Sequence, residues 1–185
     1  MEYTEIEQKY RLNGDVQTVK DTLAGLNAEP GEPSRQVDTY YNAPHRDFLA
    51  PDSISEWLRV RVEDGKASLN FKRWHPIEQP IKTHCDEYES EVSDPQAVTL
   101  VLTSLDCKDI AVVDKVREEW MTADGQIAVA FDEVDGLGTF IEFEFKGDAE
   151  SVEAATAVLD QFIASLGADL GDRINAGYPH MALGR

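Results

Sequence analysis

Over residues 5–12 the chain alternates between two kinds of side chain. Glu5, Glu7, Lys9 and Arg11 fall on one side, and Ile6, Tyr10 and Leu12 on the other. A period of two belongs to an extended strand, whose successive side chains point to opposite faces. The form returns along the chain. Arg59 and Arg61 alternate with Leu58, Val60 and Val62, and Lys72 lies opposite Leu69 and Phe71. Glu87, Glu89 and Glu91 share one face, as do Lys115 and Arg117. Asp132 falls with Ala128 and Ala130, opposite Ile127, Val129 and Phe131. Glu142, Glu144 and Lys146 alternate with Ile141, Phe143 and Phe145. With an extended segment at residues 37–41, eight strands are predicted, a number typical of a closed barrel. Asp64-Gly65, Asp124-Gly125 and Asp135-Gly136 supply hairpin turns between neighbours, so the pairing is expected to be antiparallel.

Three helices interrupt the series. Residues 15–26 carry Val16, Val19, Leu23 and Leu26 on one stripe. Asp94-Pro95 reads as an N-cap followed by proline at the first helical position, ahead of Val98, Val101, Leu102 and Leu105. Residues 148–166 present Val152, Ala155, Leu159, Phe162, Ile163 and Leu166 and stop at Gly167. These apolar stripes decide the orientation of the barrel. Were the apolar strand faces turned inward, the helices would have nothing to cover. The expected fold is therefore α+β: a closed eight-stranded antiparallel β-barrel, apolar outside under the helices and charged within. The predicted lining is Lys9, Arg11, Arg59, Arg61, Lys72, Lys115 and Arg117, facing Glu5, Glu7, Glu89, Glu91, Asp132, Glu142 and Glu144.

Length and charge narrow the functions. The 185 residues suit one domain spanning 1–185. The 36 acidic and 17 basic residues leave a net charge of −19, which opposes a nucleic-acid groove and suits a protein working in high salt. No apolar run is long enough to span a membrane, and no basic-then-apolar leader opens the chain, so a cytoplasmic location is expected. Cys85 and Cys107 lack metal-ligand spacing and are expected as thiols, and the four histidines are unclustered.

Charges buried in such numbers must pair with one another or bind something. A self-neutralising lattice of ion pairs is one outcome. A triphosphate with a divalent cation is the other, and it accounts for both signs. Phosphate oxygens accept from arginine forks and lysine ammoniums, while Glu5/Glu7 and Glu142/Glu144 offer oxygen ligands to Mg²⁺ or Mn²⁺.

The pattern resembles the CYTH superfamily, the triphosphate tunnel metalloenzymes. The resemblance rests on the ExExK run Glu5-Ile6-Glu7-Gln8-Lys9, followed in order by Arg59-Val60-Arg61, Lys72, Glu89/Glu91, Lys115-Val116-Arg117, Asp132 and Leu137-Gly138-Thr139-Phe140-Ile141-Glu142-Phe143-Glu144. It implies an eight-stranded triphosphate tunnel in which Glu5, Glu7 and Glu144 hold the metal, assisted by Glu142 and Asp132. It also implies that Lys9, Arg11, Arg59, Arg61, Lys72, Lys115 and Arg117 cradle phosphates, that Arg173 closes one mouth, and that Glu5, Glu7, Lys9 and Lys72 stand at the chemistry. Within the family the chain looks most like the class IV adenylyl cyclase branch, which implies conversion of ATP to cyclic AMP and pyrophosphate. It departs from that branch at Gly177-Tyr178, where a serine commonly precedes the tyrosine. The alternative is a triphosphatase acting on inorganic triphosphate, thiamine triphosphate or a nucleoside triphosphate, and a third class is a non-catalytic polyphosphate-binding module. A homodimer is compatible with apolar outer surface left bare by only three helices.

Overall fold

The computed structural model describes residues 4–184. In chain order the elements are β1 (Thr4–Leu12), α1 (Val16–Gly25), β2 (Glu29–Pro30), β3 (Ser34–Asn42), β4 (Glu56–Glu63), β5 (Lys66–His75), β6 (His84–Glu91), α2 (Pro95–Ser104), β7 (Lys108–Met121), β8 (Ile127–Val134), β9 (Gly138–Phe145), α3 (Val152–Leu166), β10 (Leu170–Ile174) and α4 (Tyr178–Ala182). All pairings are antiparallel. The order β1-β6-β5-β4-β3-β7-β8-β9 returns to β1, closing a barrel of eight strands as the alternation predicted. The strand β1 forks: its start pairs with β6 and its end with β10, while its other edge runs along β9. Asp64 and Gly65 both have positive φ, 45° and 84°, as the tight β4–β5 hairpin requires.

The helices begin where their caps dictate. Asp15, Asp94 and Ser151 accept from the backbone amides of Thr18, Ala97 and Ala154. The last of these starts α3 at Val152, four residues later than the apolar stripe suggested. Leu159 and Ala155 of α3, with Val19 and Leu23 of α1, pack on Ile6, Val129, Phe131, Ile141 and Phe143 from the outward faces of β1, β8 and β9. Beneath α2, Leu102 meets Val60 and Tyr41. The apolar side of the barrel is thus its outside, and the helices cover much of it.

Two short strands and α4 were not anticipated. The helix α4 drives Tyr178 into one end of the barrel, where Tyr40, Trp57, Val113, Val134 and Phe140 turn inward and form a second apolar cluster. The other end is open. Among the described residues no helix is long and apolar enough to cross a membrane.

Candidate functional site

Because the barrel closes in one register, each inward side chain has a fixed opposite number. Across β1 and β9, Glu7 faces Glu144 and Lys9 faces Glu142. On the next strand Ala128 and Ala130 stand opposite those two glutamates and leave them room. Across β3, β4 and β7 lie Gln36, Asp38, Arg59, Arg61, Lys115 and Arg117, and β5 adds Asn70 and Lys72. Glu7, Lys9, Arg59, Arg61, Lys72, Lys115, Arg117 and Glu142 line one cavity of about 540 Å³. It lies beside the open mouth of about 870 Å³, rimmed by Glu32, Glu63, Glu89, Glu119 and Glu144.

The tunnel carboxylates fall into two electrostatic groups. In the first, each is neutralised by cations. Asp38 takes a fork from Arg61, Nε and Nη2 both at 2.7 Å, and a further bond from Arg59 at 3.2 Å. Asp132 accepts from Lys115 at 3.1 Å, from Arg117 Nε at 2.7 Å and from the Tyr178 hydroxyl at 2.7 Å. Glu142 pairs with Lys9 at 2.9 Å and with Arg117. Burial alone would raise these three acids, but the adjacent cations outweigh it and hold all three below the usual carboxylate range.

In the second group, burial and the neighbouring acids outweigh the adjacent lysines. Burial pushes Glu5 well above its ordinary value, and although Lys72 opposes that, Glu7, Glu87 and Glu144 all add to it. Glu144 is likewise raised, chiefly by burial, with Lys146 opposing and Glu7 adding. Glu7 enters no ion pair among the described residues. Lys72 reaches between strands to bond Glu5 and lies 3.4 Å from Glu87, a cation drawn to the carboxylate edge.

The basic wall keeps an unmet need of its own. Arg59 Nε is buried with no hydrogen-bond partner, although Arg59 Nη1 reaches Asp38. An orphaned guanidinium N–H on the tunnel wall is a donor without an acceptor.

The CYTH domain family matches residues 3–178. The chain belongs to that family. A Methanocaldococcus jannaschii protein named "Putative adenylate cyclase" is 31% identical over 140 residues, 76% of this chain and 75% of that one. A Pyrococcus horikoshii protein superposes with a TM-score of 0.78 at 25% identity, covering 97% of this chain and 98% of its own. A Hippeastrum protein, described as a "Putative adenylyl cyclase" that reveals a dominant triphosphatase activity, shares the fold. Its TM-score is 0.62 at 19% identity, over 94% of this chain and 91% of that one.

In this CYTH domain the structure brings together twelve of the fifteen residues singled out from sequence: Glu5, Glu7, Lys9, Arg59, Arg61, Lys72, Glu89, Lys115, Arg117, Asp132, Glu142 and Glu144. The other three lie elsewhere. Glu91 is exposed at the end of β6, past the mouth, because the strand outruns the lumen. Arg11 is exposed beyond the apolar end, stacked over Phe140 at 4.7 Å and donating to the Leu137 carbonyl. Its alternation was right, but it stands opposite Phe140, in the apolar layer where the lumen ends. Arg173 lies on β10 beside Lys82, Trp57 and Trp74, lining a smaller side cavity that touches Glu7 and Lys9. Three tunnel residues escaped the sequence reading: Gln36, Asp38 and Asn70. Over residues 34–40 both strand faces carry polar groups, so the alternation did not tell which was inward. For Asp38 a signal existed, since an inward strand bearing Arg59 and Arg61 needs a buried partner.

A divalent cation fits the second carboxylate group by its chemistry. Glu5, Glu7 and Glu144 are hard oxygen donors close together on β1 and β9 and mutually repelled; Glu5 and Glu144 each pair with one lysine, Lys72 and Lys146, and Glu7 with none among the described residues. Among the described residues no three acidic, histidine or cysteine side chains converge into a preformed cage.

Proposed function

We propose that this CYTH domain is a metal-dependent enzyme acting on a triphosphate in its tunnel, converting ATP to cyclic AMP and pyrophosphate. The observation that carries the proposal is the segregation within one lumen: a basic wall with an orphaned Arg59 N–H faces an acidic edge where Glu7 has no ion pair among the described residues and Glu5 and Glu144 are pushed up by burial and by their acidic neighbours. A mere lattice of ion pairs would leave neither. Arg59, Arg61, Lys115 and Arg117 would bind the phosphates, their positions fixed by Asp38 and Asp132 behind them. Lys9, held by Glu142, and Lys72, beside Glu5, would sit at the reacting end. Glu5, Glu7 and Glu144 would hold Mg²⁺ or Mn²⁺, which neutralises phosphate charge and favours attack at phosphorus when bound. The apolar plug formed by Tyr178 and Phe140 would keep bulk water from one end, as an intramolecular attack by the ribose oxygen requires.

Hydrolysis of a triphosphate is the second reading, favoured by the dominant triphosphatase activity described for the Hippeastrum relative. It uses the same cradle with water as the attacking group. Incubation of the purified protein with Mg²⁺ or Mn²⁺ and, separately, ATP and inorganic triphosphate separates the two. Cyclic AMP with pyrophosphate supports the first, and orthophosphate release supports the second. Glu7→Gln is expected to lower metal-dependent turnover by at least about 100-fold. Undiminished turnover in that variant removes the first strand from the chemistry.

A further inference from the structure

The fork in β1 leaves a gap in the barrel wall. On one edge Glu5 pairs with Cys85 of β6, and the next register there is Lys9 with Ile174 of β10. Among the described residues Ile6, Glu7 and Gln8 therefore have no partner strand on that edge. A side cavity of about 430 Å³ lies at the gap. It shares Glu7, Lys9, Trp57 and Trp74 with the main cavity, and its lining includes half-buried Arg173 and exposed Asn175. The tunnel thus reaches the surface through its wall, while Tyr178 and its apolar neighbours plug one end. Arg173 Nη2 spans the gap to the Lys82 carbonyl at 3.3 Å, tying β10 to the connection between β5 and β6.

The two openings differ in sign. The side cavity sets Lys9, Lys82 and Arg173 against Glu7 alone. Lys82 is 5% exposed, and its ammonium donates to the Ser53 and Ser55 hydroxyls at 3.0 and 2.6 Å and to the Pro76 and Ile77 carbonyls at 2.9 and 3.0 Å. These neutral oxygens solvate the charge without cancelling it. Neither Lys82 nor Arg173 enters an ion pair among the described residues. In a chain of net charge −19, neighbouring cations without counter-ions concentrate positive potential at the gap. The open mouth is rimmed instead by Glu32, Glu63, Glu89 and Glu119, which repel a polyanion.

We infer that the gap between β6 and β10 is a side port through which a polyphosphate anion enters and leaves the tunnel, drawn by Lys82 and Arg173. This rests on the triphosphate reading above. The test follows inorganic triphosphate in EDTA by stopped-flow tryptophan fluorescence, since Trp57 and Trp74 line both cavities. At about 0.1 M KCl an exposed charge acts over about 10 Å, so changes at the two openings are read separately. Arg173→Glu is expected to slow association about tenfold, and Arg173→Gln, which keeps a donor for the Lys82 carbonyl, about threefold. Glu119→Gln, at the open mouth, is expected to change association by less than about twofold. Thermal melts confirm which variants fold. Unchanged association in the folded Arg173 variants overturns the inference, and so does faster dissociation with association intact, which makes Arg173 a contact and not a gate. Association accelerated beyond about twofold in Glu119→Gln moves entry to the mouth and also overturns it. In each of these cases the triphosphate site stands. Absence of calorimetric binding of inorganic triphosphate to the wild-type protein overturns the triphosphate reading and this inference with it.

Discussion

At the scale of single residues, the carboxylates with the greatest effect on the tunnel are those that touch no cation other than the protein's own. Asp38 is 1% exposed and carries the charge of two guanidiniums whose side chains are only 12% exposed. Removing one partner of a buried ion pair strands the other, at a cost well above that of a surface pair. Asp38→Asn is therefore expected to destabilise the fold by about 3 kcal/mol, read as a fall in melting temperature on the order of 8 °C. The sign of the pH dependence follows from the same contacts. Burial works to raise the Asp38 pKa, but Arg59, Arg61 and Lys115 together hold it well below the ordinary 3.8. Its stabilisation is thus complete above the unfolded value and is lost as pH falls toward the lower folded one. Melts between pH 5 and pH 2 should fall more steeply for wild type than for Asp38→Asn. Parallel curves would show that Asp38 is not ionised against the arginines.

At the scale of elements, strand parity carried most of the site. Once α1, α2 and α3 require an apolar floor, every charged strand face must be the lumen, and this placed Glu5, Glu7, Lys9, Arg59, Arg61, Lys72, Lys115, Arg117, Glu142 and Glu144 correctly inside. What parity could not tell was depth. Arg11 and Lys9 share a face, yet Lys9 meets Glu142 and Arg11 meets Phe140, because the layer at which the lumen ends is set by the inward turn of Tyr40, Trp57 and Phe140 from three different strands. Nor could it show α4, whose five residues are too few for a helical period and whose place is fixed only by Tyr178. That hydroxyl bonds Asp132, and the ring lies 4.0 Å from Lys9 Nζ and 5.0 Å from Lys115 Nζ. The outer layer is legible in the usual way. Leu159 is fully buried between α3 and the strands, so Leu159→Ala is expected to cost about 3 kcal/mol in chemical denaturation. Since the cavity it leaves is outside the barrel, substrate affinity should be unchanged; a matching loss of affinity would mean that the outer packing sets the tunnel's register.

At the scale of the whole molecule, the charge is divided unevenly. Six of the 17 basic residues, Lys9, Arg59, Arg61, Lys72, Lys115 and Arg117, are withdrawn into the tunnel of a chain whose net charge is −19. Glu5, Glu7, Asp38, Asp132, Glu142 and Glu144 balance them in the same lumen, so the net negative charge falls on the outside, and its self-repulsion opposes the compact state. Mobile ions screen exposed charges over about 10 Å at 0.1 M salt and about 3 Å at 1 M, but they reach buried pairs poorly. The two populations of charge should therefore respond differently. Raising KCl from about 0.05 M to about 1 M is expected to raise the melting temperature of the wild-type protein, as surface repulsion is screened. The gap between wild type and Asp38→Asn is expected to stay nearly constant across that range, because the Asp38 pairs lie within the barrel. A melting temperature that falls with salt would mean that exposed ion pairs such as Arg35–Asp114 outweigh the net repulsion. A gap that closes with salt would mean that the tunnel is open enough for solvent ions to take the place of its carboxylates, and a lumen so accessible could not hold its basic wall apart from its acidic edge.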